Sequence, residues 1–181
     1  MLPMDQLRAR LREHDDPGHL ERPADFDRDT ARHCFARLLS ALEERFGPSC
    51  SSGLGQDSSF YGVIDVPAGA TGVERPVGVA MSNFGTYFVT AFMRVSEGFP
   101  GEEACPPEEF VTWLDGVCTA IGCTFIPTGL LREPYEGPSV LAAAHDLQLA
   151  TVLIAAGLAE AEDDDEELGT SDWHDRYFDY M

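Results

Sequence analysis

The residues best equipped for chemistry fall late in the sequence. Asp172, His174 and Asp175 put two carboxylates and an imidazole within four positions. Such a set can move a proton, with the imidazole as base and a carboxylate to orient it. Histidine beside aspartate also arises by chance in a chain holding 32 acids. Cys50 is a nucleophile only if a remote histidine activates it. His145 and Asp146 are adjacent, and adjacent residues point in different directions on a helix. His14 and His19 flank the turn Asp16-Pro17-Gly18, but no third ligand lies near enough to complete a metal site. The glycine-bearing stretch Cys50–Asp57 lacks the lysine and preceding strand of a phosphate loop, and it contains no G-x-S-x-G elbow. No catalytic set, no cofactor motif and no metal motif is therefore expected.

Composition narrows the field further. All twelve basic residues are arginine, which excludes phosphate-loop, Schiff-base and kinase-type lysine chemistry. We read the missing lysine as the mark of a GC-rich genome rather than of selection. The formal charge is −20 over 181 residues, and residues 160–181 alone hold ten acids against one arginine. Such a chain repels nucleic acid and anionic membrane and is drawn to basic partners. The five cysteines are odd in number and form no CxxC pair, and no signal-peptide pattern opens the chain. Together these point to a reduced, cytoplasmic protein. Cys34 and Cys118 fall on apolar helix stripes and read as small buried hydrophobes.

The elements that must carry these residues are written most clearly between Ser58 and Val95. Phe60, Gly62, Ile64 and Val66 alternate with Tyr61, Val63 and Asp65, and Val77, Val79 and Met81 alternate with Gly78, Ala80 and Ser82. This is the period of strands with one buried face. Asn83-Phe84-Gly85 then turns the chain into Thr86–Val95, with Tyr87, Val89, Ala91, Met93 and Val95 on one side. Ahead of the sheet, Ala31, Cys34, Phe35, Leu38, Leu39, Leu42 and Phe46 predict a helix capped by Asp27 or Asp29 and stopped by Gly47-Pro48. Behind it, Pro106-Pro107-Glu108-Glu109 opens a helix striped by Phe110, Trp113, Leu114, Val117, Cys118 and Ile121 and ended by Gly122. A short strand at Cys123–Ile126 and a second long helix from Val140 to about Ala156 follow. Pro67–Pro76 reads as a turn, Cys50–Asp57 as a flexible connection, and residues 4–14 as an arginine-rich helix in an exposed arm.

The fold class is thus α+β, in the order α-βββ-α-β-α, with an antiparallel sheet of three to five strands covered by two or three helices. The expected organisation is an arm at 1–26, a domain at 27–159, an acidic linker at 160–170, and an aromatic segment at 171–181 that docks on the domain or on a partner. Leu38, Leu42, Trp113, Val117, Phe88 or Val89, and Ile64 should form the contact layer.

Two resemblances add to this reading. The order of elements over residues 27–158 resembles the small acidic chaperones of bacterial secretion systems. The ending Trp173-His174-Asp175-Arg176-Tyr177-Phe178-Asp179-Tyr180-Met181, with Glu133-Pro134-Tyr135-Glu136-Gly137 upstream, is similar to small actinobacterial proteins associated with immunity to polymorphic toxins. Relative to these, residues 139–168 look like an insertion. The second resemblance implies an acidic module that binds and neutralises a basic toxin or effector. The resemblance carries over no partner-binding residues; from the segment's own aromatics and acids they would be Asp172, Trp173, Asp175, Tyr177, Asp179 and Tyr180, the aromatics packing back on the domain to present the aspartates. The partner would be a protein, neither nucleic acid nor membrane, with a homodimer as a further possibility. A secretion-type chaperone is the alternative, a small hydrolase-like enzyme the next, and a DNA mimic a further reading, disfavoured because nearly half the excess charge lies in the last 22 residues.

Overall fold

A computed structural model describes residues 1–19, 23–48, 50–54, 62–82, 87–94, 105–137 and 171–178. The expected helix at 140–156, His145-Asp146, the acidic run 160–167, the turn at 83–85, Asp179 and Tyr180 lie outside them. Five strands form one sheet in sequence order: β1 (Ser51–Leu54), β2 (Gly62–Val66), β3 (Val77–Met81), β4 (Phe88–Met93) and β5 (Thr124–Phe125). The fold is α+β. The first three pairings are antiparallel, with Ile64 opposite Val79 and Val79 opposite Ala91. The last is parallel, Phe88 beside Thr124 and Val89 beside Phe125. The sheet is therefore mixed rather than antiparallel throughout. A helix separates β4 from β5, and such a crossover returns the chain in the same direction.

One face of this sheet is covered by two helices, α2 (Arg28–Phe46) and α4 (Glu108–Ile121). Asp27 accepts from the Asp29 and Thr30 backbone N–H groups and so starts α2. Gly47, at φ 94°, ends it. α4 opens after Pro107 with Glu108 and Glu109 in its first turn, which suits the positive helix end. Beneath the two helices, Leu38, Leu42, Ile64, Val66, Val77, Val79, Met81, Val89 and Leu114 form a fully buried core. Phe88 belongs to the other face, and Trp113 and Val117 lie at the rim, partly buried. Trp113 is held there between Phe46, edge-on at 5.2 Å, and the Arg45 guanidinium, 4.8 Å from its ring.

The second face departs from expectation: it too is covered. α1 (Met4–Glu13), the one-turn α5 (Thr128–Leu131) and a short helix, α6 (Trp173–Tyr177), lie on it. Leu7 and Leu11 of α1 are 1% and 0% exposed, so this segment is a structural layer and not an exposed arm. Every residue of β3 is consequently buried, with Ala80 packed among Phe88, Ile126, Leu130, Leu131 and Tyr177. Two further expectations are corrected. Pro67–Pro76 contains a one-turn helix, α3 (Ala68–Thr71). Ser51–Leu54, read as flexible connection, is a strand, the edge of the sheet among the described residues, with Ser52 opposite Ile64. An edge strand needs backbone pairing on one side only, so serine and glycine suffice where apolar alternation is absent.

Candidate functional site

The second layer gathers the polar residues of most interest. Asp172 and Asp175 make a reciprocal capping box on α6: Asp172 Oδ1 accepts from Asp175 N–H at 2.9 Å, and Asp175 Oδ2 accepts from Asp172 N–H at 3.0 Å. Arg132 reaches Asp172 Oδ2 at 3.1 Å. α6 is stitched to the segment before it by Tyr135 N–H to Ser171 O at 2.8 Å and Trp173 N–H to Glu133 O at 3.3 Å. Its aromatics then turn inward. Trp173 stacks on Tyr177 with centroids 5.7 Å apart, Tyr135 meets Trp173 edge-on at 4.9 Å, and Tyr177 meets Phe88 at 5.1 Å.

Beneath these rings runs a buried polar chain. Arg176, with its side chain 4% exposed, donates Nε–H to Asp15 Oδ1 at 2.8 Å and an Nη2 hydrogen to the Asp16 carbonyl at 2.8 Å. Tyr135 O–H donates to the other Asp15 oxygen at 2.7 Å, and Tyr177 O–H donates to the Leu11 carbonyl at 2.6 Å. Burial, and then the bond to Asp15, push the Tyr135 phenol up to about 12, and burial drives Tyr177 up as well. Nearer the surface, Arg8 grips Glu133 through two bonds of 2.8 and 2.5 Å and holds that carboxyl below its ordinary range. The chain Asp15–Arg176–Tyr135 is not legible in the sequence, because Asp15 lies 120 residues from Tyr135 and 161 from Arg176.

Trp173 and Tyr177 are 5% and 0% exposed and are packing residues, not contact surface. Asp172 and Asp175 are at the lip of the layer and already accept from helix donors. With His174 they offer three ligand atoms within 4.8 Å of one another, and this is the only such group among the described residues. That proximity follows from the capping box, whose geometry needs both carboxylates at the first turn. His14 and His19 face different partners: His14 meets the Phe88 ring at 5.9 Å, while His19 Nδ1 pairs with Asp16 at 2.9 Å. Cys50 is buried, and burial followed by Glu43 pushes its thiol up, the wrong direction for a nucleophile. Among the described residues no helix is long and apolar enough to cross a membrane.

No family model matches the chain, no curated protein is similar to it, and no solved structure matches it.

Proposed function

We propose that this chain is an acidic protein-binding module of the immunity type, which holds and neutralises a basic protein. The observation that carries the reading is how charge is distributed. The described residues contain 18 acids and 11 arginines, and the remainder holds 14 acids and one arginine. At least seven of those 11 arginines, Arg8, Arg10, Arg12, Arg45, Arg94, Arg132 and Arg176, already pair with a carboxylate of the same chain. Most of the described cationic groups are thus engaged within the chain, and the net acid excess is what would face a partner. A field of that sign accelerates encounter with a basic surface and demands no catalytic geometry. Asp172 and Asp175 at the lip of α6, continued by Asp179 and Tyr180, are the proposed contact face, with Trp173 and Tyr177 as its support.

The test is binding and rescue together. A co-encoded toxin, purified in inactive form, should associate at least tenfold more slowly in 0.3 M than in 0.05 M salt, and co-expression should restore growth of cells making the active toxin. Salt-independent association, or no rescue, overturns the reading. A second reading has one observation in its favour. β1 is a sheet edge whose partner among the described residues is β2 alone, and an extended client can add beside it, as a secretion chaperone would require. Slowed amide exchange at Ser51–Leu54 on client binding would select this alternative.

A further inference from the structure

Of the chain's two tryptophans, Trp173 is buried and Trp113 is left partly open at the rim of the first core. Three neighbours fix the Trp113 ring: Phe46 edge-on at 5.2 Å, Phe110 at 6.1 Å and the Arg45 guanidinium at 4.8 Å. Two adjoining hollows of about 490 and 270 Å³ open here, where the end of α2 passes the start of α4, and Arg45 and Glu109 line both. Phe46, Phe110 and Trp113 supply the apolar floor, and Glu108, Glu109 and Thr112 the polar rim.

The charge around this ring is unbalanced. α4 brings Glu108, Glu109 and Asp115 and no basic residue, and α2 brings Glu43 and Glu44 just ahead of Arg45. Among the described residues Arg45 is therefore the only cation lining either hollow. Its hold is loose. Arg45 Nη2 lies 3.6 Å from a Glu109 side chain that is 90% exposed, whereas a tight charge-assisted bond is about 2.8 Å. A guanidinium over an indole gains from the ring's quadrupole as well as from nearby carboxylates. Arg45 shows that this ring accepts one, and two carboxylates stand where a single cation is present.

We propose that Trp113, Glu108 and Glu109 form a seat for an arginine side chain of a basic partner protein. The seat rests on the reading of this chain as a binder of basic proteins, and it adds a contact on the opposite side of the sheet from α6. The incoming guanidinium lies on the indole in place of Arg45, which swings into solvent, and pairs with Glu108 and Glu109. Its methylene stem covers the Phe46 edge of the hollow. Tryptophan and arginine are the residues whose truncation costs most at interface centres. Lysine fits this seat less well, because an ammonium is more strongly hydrated and has no plane to stack on the ring.

The probes are end-blocked hexa-arginine and hexa-lysine peptides, titrated into the full chain at about 0.05 M salt and followed by amide and indole NMR. The Trp113 indole N–H and the Glu109 and Thr112 amides should move, with hexa-arginine bound about two- to fivefold more tightly than hexa-lysine. Trp113→Leu should erase that preference, and Glu108→Gln with Glu109→Gln should weaken hexa-arginine at least about threefold. Arg45→Gln vacates the ring and should strengthen hexa-arginine binding more than Arg32→Gln does. Both remove one positive charge, but Arg32 lies about 20 Å away along α2. Equal affinity for the two peptides, or equal effects of Arg45→Gln and Arg32→Gln, overturns the proposal. Movement confined to residues 160–181 also overturns it and leaves the basic-partner reading standing, whereas no binding of either peptide overturns both.

Discussion

Arg176 is the side chain that ties α6 to the turn after α1 within the second layer. Its guanidinium is buried against Asp15 and the Asp16 carbonyl. Truncating one member of a buried ion pair leaves the other charge without compensation, which typically costs about 3–5 kcal/mol. Arg176→Ala should lower the urea midpoint accordingly, while Arg176→Met combined with Asp15→Asn should recover much of the loss. A midpoint unmoved by Arg176→Ala would show that the pair adds nothing. The tyrosines make a prediction of opposite kind, about alkali. Tyr135 is raised from 10.0 to about 12 in the folded protein, and Tyr177 is raised too. A group raised on folding contributes stability in full below its unfolded value and loses it as pH climbs to the folded one. Stability should therefore fall between pH 10 and 12, with phenolate absorbance appearing together with unfolding. Tyr135→Phe should soften that fall, and a midpoint level to pH 12 would contradict the burial of both phenols.

α1 shows how much an element's role can exceed its composition. Leu11 is fully buried on the second face, so Leu11→Ala should cost about 2–5 kcal/mol in chemical denaturation. An exposed arm would show almost no change. β2 makes a matching test on the first face, where a Cβ at Gly62 would overlap the Phe35 ring. Gly62→Val should cost at least about 1–3 kcal/mol by overpacking. The elements differ in how legible they are, and the reason is physical. α2, α4 and strands β2 to β4 bury continuous apolar stripes, so period alone marks them. α1 buries only a narrow line of leucines among arginines, and β1 is held by backbone bonds that serine and glycine make as well as valine does. The second covered face was hidden in the same way, because Gly78 and Ala80 look like solvent-side residues until Phe92 and Phe88 are seen to lie beside them. The capping box at Asp172 and Asp175 was visible as spacing, but the ion pair beneath it depends on residues that only the fold brings together.

At the scale of the molecule, the sheet works as a partition between two cores, and the two should respond differently to change. Deleting residues 171–181 uncovers Phe88, Ile126 and Leu130, and fully buried side chains of this kind are worth about 1.5–3 kcal/mol each. The shortened protein should melt well below the intact one. Replacing the acids at 162–167 with Ser and Gln should leave the melting temperature within a few degrees while slowing association with a basic partner. If the second change also destabilises the protein, the run belongs to the fold. The bond from Tyr177 to the Leu11 carbonyl spans 166 positions, and this has a consequence for how the protein is made. At about 5–20 residues per second, a ribosome needs roughly 8–33 s to travel from one partner to the other. Through that interval Leu7 and Leu11, joined by Phe88 from about its midpoint, have been synthesised but the helix that completes their cover has not, and the later nascent chain offers a greasy, half-roofed sheet to whatever chaperones wait at the exit tunnel.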